Sequence, residues 1–79
     1  MFDLICTCIE DIFETDRSQI QPLTTFESDL FADLQDMQEL FMMIEEEFDV
    51  VTDEADIASI VTVQDLCDYV KALDEKKRT

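Results

Sequence analysis

The sequence predicts an all-α fold: a small bundle of three main helices and one short one, with a long loop between the first two main helices. Three observations carry this. The chain has no Gly and a single Pro, Pro22, whereas a sheet needs the tight turns that Gly usually supplies. Apolar residues recur at three- and four-residue spacings in three separate stretches. At 79 residues the chain reads as one domain over 1–79, with room for one modest core and none for an enzyme-sized buried cleft.

The first stretch, about residues 2–15, places Phe2, Ile5, Ile9, Ile12 and Phe13 on one helical stripe, which Leu4 and Cys8 widen. From Asp16 to Asp33 the period breaks. Ser18, Pro22, Thr24, Thr25, Ser28 and Asp29 favour turns, and Ile20, Leu23, Phe26, Leu30 and Phe31 are scattered apolar anchors. A loop this long inside a compact domain is often functional.

Asp33 is placed to cap the next helix through its carboxylate, and Met37, Leu40, Phe41, Ile44 and Phe48 follow at helical spacing. The opposite face carries Asp36, Glu39, Glu45 and Glu46, with Glu47 beside them. A short helical turn is expected near residues 53–59. Thr62 then caps a final helix through Val63, Leu66, Val70 and Leu73, with Asp65 in position for a reciprocal capping box. The basic tail Lys76-Lys77-Arg78 complements the negative C-terminal end of that helix, and residues 75–79 are expected to fray.

Charge narrows the function. Twenty-one acidic residues against five basic ones give a net charge of −16. Only Asp74 and Glu75 lie beyond Val70 among the acids, so residues 1–70 hold 19 acids against Arg17 alone. Such a field repels nucleic acid and anionic lipid and attracts basic protein surfaces, at a rate that falls with salt. The expected partner is therefore the basic surface of another protein, met as a monomer in the cytoplasm, without nucleic acid or membrane insertion.

Other classes fare poorly. Cys6, Cys8 and Cys67, with no His, do not supply the four paired ligands of a zinc site, and they read as reduced, core-facing thiols without a base to activate them. Asp49, Asp53, Glu54 and Asp56 crowd one loop, but a calcium-binding helix-loop-helix needs a Gly that this chain lacks. No Ser stands near a base and no Gly-rich phosphate loop exists, so catalysis is not expected.

The run Phe26-x-x-Asp29-Leu30-x-x-Asp33, the pair Glu39-Leu40, the block Glu45-Glu46-Glu47-Phe48-Asp49 and the closing Thr62-Val63-x-Asp65-x-x-Asp68-Tyr69-Val70 resemble the acyl carrier protein family over about residues 2–74. That family usually reads Asp-Leu-Gly-x-Asp-Ser-Leu at the start of the second helix, where the serine holds a phosphopantetheine arm. Here the corresponding positions are Phe31 for Gly, Leu34 for the serine and Gln35 for the following Leu, with Gln38 at a commonly apolar place. Leu34 has no oxygen with which to form a phosphodiester.

The resemblance implies that Asp33, Asp36, Glu39, Glu45 and Glu46 form an acidic face read by Lys and Arg of partner enzymes. It also implies that Phe26, Leu40, Ile44, Ile57, Ile60 and Tyr69 lie near the interior where family members shelter an acyl chain, although plain core packing accounts for the same set. The expected function is a carrier homologue without the attachment serine, binding no cofactor and docking a basic partner through its acids together with Phe31 and Leu34. The alternative is a working acyl or aminoacyl carrier bearing phosphopantetheine, either as a variant of a serine-containing parent or through a substitute residue. Ser28, six residues before Leu34 and displaced from the helix start, is a weak candidate for that role.

Overall fold

The computed structural model describes residues 1–77. Helix α1 spans Phe2–Phe13, α2 spans Leu34–Phe48 and α3 spans Val63–Lys77; a 3₁₀ turn at Arg17–Gln19 and a 3₁₀ helix at Glu54–Ser59 occupy the connections. This is the expected set of three main helices and a short one, with the additional small turn inside the long loop.

The three stripes meet in one core. Ile5 and Ile9 of α1, Leu40 and Ile44 of α2, and Val63, Leu66 and Val70 of α3 are fully buried. Phe41 stacks on Tyr69, with ring centroids 5.6 Å apart, and joins α2 to α3. Cys6, Cys8 and Cys67 are all buried and unbridged, as core-facing thiols should be.

The loop between α1 and α2 is fastened by its backbone. The carbonyls of Thr24 and Pro22 accept the N–H groups of Val63 and Gln64, each at 2.9 Å, and the Phe26 N–H donates to the Val61 carbonyl at 3.0 Å. The loop thus satisfies donors in the first turn of α3, which have no partner within their own helix. Ile20 and Phe26 are its buried anchors. Arg17 pairs with Asp3 and lies over the Phe2 ring, holding the start of the loop against α1.

Four expectations need correction. Helix α1 stops at Phe13 because Glu14 turns left-handed (φ 52°), and no Gly announces that turn in the sequence. Leu23 is not an anchor: it is 80% exposed, because the turn that presents the Thr24 and Pro22 carbonyls to α3 points its side chain outward. Leu4 lies on the solvent side of α1 and widens no buried stripe. The basic tail does not serve its own helix alone: Lys77, in the last turn of α3, donates from Nζ to the Phe48 carbonyl (3.2 Å) and pairs with Asp49 (3.4 Å). Its ammonium therefore serves the negative end of α2. Arg78 and Thr79 lie outside the described residues.

Candidate functional site

The site begins where the loop enters α2. Phe31 sits at φ 55°, the left-handed region that a side chain with a Cβ disfavours. Its ring is 84% exposed. Just before it, Asp29 Oδ2 accepts the Thr25 N–H at 2.8 Å, and just after it the Ala32 N–H donates to the Phe26 carbonyl at 2.8 Å. The unusual residue is thus held between two fixed points.

Asp33 then caps α2 as its position predicted. Its Oδ1 accepts the Asp36 N–H at 2.8 Å, while Asp36 Oδ2 accepts the Asp33 N–H at 3.2 Å. The reciprocal role of Asp36 was missed, although the Asp-x-x-Asp spacing signals it in the same way that Thr62-x-x-Asp65 does. Leu34 is the first residue of the capped helix and is 61% exposed. Ser28 is an exposed turn residue in the loop, outside α2.

At 100° per residue, the buried residues Met37, Leu40, Phe41 and Ile44 define the inner face of α2. Gln35, Glu39, Met42 and Glu46 point the opposite way. Of the five acids expected to form one face, only Glu39 and Glu46 share this outermost line. Asp33 and Asp36 are engaged in the cap, and Glu45 turns toward the following loop, where its Oε2 accepts the Thr52 N–H at 2.9 Å. Met42, 62% exposed between Glu39 and Glu46, was not anticipated as part of the surface; its place in the helical period gave that signal.

Beside Leu34 runs a groove of about 230 Å³ between the start of α2 and the segment around Ile57–Val61. Phe26, Met37 and Ile60 form its floor, and Leu34 and Val61 stand at its sides. Glu27 and Asp33 lie at its edge. The 3₁₀ helix beside it is held by polar ties: Tyr69 Oη donates to Asp56 Oδ2 at 2.7 Å and accepts the Asp53 N–H at 3.1 Å, and Gln38 donates to Glu54.

Residues 3–70 match the family model described as the phosphopantetheine attachment site. The chain is 36% identical over 75 residues to the acyl carrier protein of Trieres chinensis, covering 95% of this chain and 94% of that one. It is 33% identical over 76 residues to the acyl carrier protein of Clostridium acetobutylicum, covering 96% and 99%. The chain belongs to the acyl carrier protein family. A third relative, the acyl carrier protein of Nitratidesulfovibrio vulgaris strain DP4, is 40% identical over 62 residues, covering 78% of this chain and 82% of that one.

Acyl carrier proteins are carriers rather than enzymes themselves. Burial raises the Cys6 and Cys8 thiols and pushes Cys67 up to about 11, so none is poised as a thiolate. The Asp65 carboxyl is held below its ordinary value because it accepts backbone N–H groups from Thr62 and Val61; it is a capping group. Among the described residues, no three His, Cys, Asp or Glu side chains converge as metal ligands, and no helix is long and apolar enough to cross a membrane. Of the residues the resemblance places near an acyl-sheltering interior, Phe26, Leu40, Ile44 and Ile60 are buried, and Ile57 and Tyr69 are half-buried. Leu40 and Ile44 are enclosed by the core, while Phe26, Ile57 and Ile60 also line the groove beside Leu34.

Proposed function

We propose that this chain is a carrier-fold protein that takes no phosphopantetheine at residue 34 and works as an acidic docking module for the basic surface of a carrier-dependent enzyme or related assembly. The observation that carries the reading is the corner at the start of α2. Attachment through a phosphodiester needs a side-chain oxygen, and the capped first position of the helix holds Leu34 instead. The residues present do not fit the arm.

The surface around that corner supports the docking half. Phe31 and Leu34 offer exposed apolar contact, and Glu39 and Glu46 lie along the outer line of the same helix. Apolar anchors within a charged surround are the usual anatomy of an interface centre, and the surround steers encounter and sets orientation. With a net charge of −16, the partner patch is basic, and the protein acts as a cytosolic monomer away from nucleic acid and membrane. Asp33, Asp36 and Glu45 add to the field while holding the backbone.

Incubation with coenzyme A and a broad-specificity phosphopantetheinyl transferase, followed by intact-mass measurement beside an ordinary carrier protein, tests the first half. No mass gain is expected. A gain of one phosphopantetheine would overturn the reading, and peptide mapping would show whether Ser28 had taken the arm. Glu39→Lys with Glu46→Lys tests the second half without touching the cap: loss of a salt-sensitive partner interaction is expected, and unchanged binding would refute the role of the outer acids.

A further inference from the structure

The groove beside Leu34 is the part of the surface that neither the caps nor the outer acids explain. Its floor belongs to the core, yet Leu34 and Val61 remain 61% and 56% exposed at its sides. Ala58, Ile57 and Ala32 complete an apolar lining interrupted only by Glu27 and Asp33. At about 230 Å³ it is smaller than the roughly 300–1,000 Å³ of sites that enclose a whole small molecule. It has the scale for one inserted side chain.

Charge selects what accompanies that side chain. Arg17 is the sole cation among residues 1–70, and it is paired with Asp3 on α1. No Lys or Arg is among the groove's lining residues to receive a carboxylate, whereas Glu27 is exposed and Asp33 caps α2 beside it. A segment bearing Lys or Arg beside an aromatic or aliphatic residue meets both demands. Its apolar side chain covers Leu34 and Val61, and its cations approach Glu27 and Asp33. An acidic segment or a fatty-acid head would be repelled.

We infer that this groove is the socket for a basic partner segment that inserts one large apolar side chain between Leu34 and Val61. The inference rests on the docking reading above, and it adds the chemistry of the partner and a contact site on the flank of α2, apart from the outer line of Glu39 and Glu46. It has a consequence for specificity. A partner with basic charge alone would be steered to the protein but would gain nothing from the apolar lining.

The test is an NMR titration of the ¹⁵N-labelled full chain with the peptide acetyl-Lys-Lys-Phe-Lys-Lys-amide. Controls are the same peptide with Ala for Phe, the same with Glu for every Lys, and decyltrimethylammonium below its micelle concentration. Saturable shifts centred on Ala32, Leu34, Ala58 and Val61 are expected from the Phe peptide, with at least fivefold weaker binding of the Ala peptide and none of the Glu peptide. Val61→Ser should weaken the Phe peptide at least threefold while leaving the remaining spectrum in place, and Glu27→Gln should weaken it about twofold. Equal maps and affinities for the Phe and Ala peptides would overturn the inference, as would tighter binding of the alkylammonium than of the Phe peptide at the same amides. The mass assay judges the attachment reading and the Glu39→Lys, Glu46→Lys variant judges the outer acids, so failure of the socket is distinguishable from either.

Discussion

Replacing Phe31 by Gly should make this protein more stable, although it removes a large apolar side chain. The residue sits at φ 55° and its ring is 84% exposed, so the substitution sacrifices little burial while relieving a left-handed backbone. For a residue with a Cβ that conformation costs about 1–2 kcal/mol. The added freedom of Gly in the unfolded chain takes back about 0.5–1 kcal/mol. The balance is a gain of about 0.5–1 kcal/mol, which in a domain of this size raises Tm by roughly 2–8 °C. Phe31→Ala is the necessary comparison, since it removes the ring and keeps the Cβ. Thermal and urea unfolding of both variants should place Phe31→Gly above Phe31→Ala by about 1 kcal/mol, with unchanged urea dependence. A Gly variant no more stable than the Ala variant would refute the strain argument. If the gain is found while partner binding drops, an exposed aromatic on a strained backbone is explained by contact rather than by folding.

Other expectations follow from the same contacts. Asp65→Asn should cost about 0.3–1 kcal/mol, since the amide oxygen can still accept the Thr62 and Val61 N–H groups but the negative charge at the start of α3 is lost. The Asp65 carboxyl is depressed in the folded state, so its contribution is complete above the unfolded value and disappears as pH falls through the depressed folded one. Urea unfolding across the acid range should therefore show a smaller loss on acidification in Asp65→Asn; an identical pH profile would argue against the cap. Leu40→Ala, at a fully buried position, should cost about 2–5 kcal/mol by urea unfolding. Cys67, pushed up to about 11, has roughly one thiolate in a thousand at pH 8, so native alkylation should be at least a hundredfold slower than in urea. Rapid native labelling mapped to Cys67 would contradict its enclosure.

Local signals succeeded where one helix carried its own evidence. Asp33 and Thr62 lie at helix entries with an acid three residues on, and the apolar period after each is uninterrupted, so α2 and α3 were legible from residue type and spacing. The errors came where an outcome depends on another part of the fold. Glu14 ends α1 without a Gly, because the chain must turn there to bring the Arg17–Gln19 segment back against α1. Leu23 gives up burial so that the carbonyls on either side of it can reach the first turn of α3. Glu45 has the helical phase to flank the surface, but the Thr52 N–H claims its carboxylate.

The candidate site divides in the same way. At the corner only the residue types of Phe31 and Leu34 were readable; that both stand exposed, Phe31 on a left-handed backbone, comes from the structure. The acidic face was only partly readable: a list of carboxylates does not say which are already accepting backbone hydrogen bonds. The groove was not readable at all, because Val61 and Ala58 meet Leu34 only through the tertiary course of the chain.

The clasp between Lys77 and the end of α2 has a practical consequence. With fifteen residues, α2 is about 22 Å long, and Lys77 is fastened at its Phe48–Asp49 end while Phe31 and Leu34 stand at the other. A surface anchor, dye or affinity label attached at the exposed Val51, beside this end of α2, would therefore begin at the pole of the molecule remote from Phe31 and Leu34. Immobilised in that orientation, the protein would offer its apolar pair and its groove to the solution, and the strength of binding at that corner could be read without obstruction from the support.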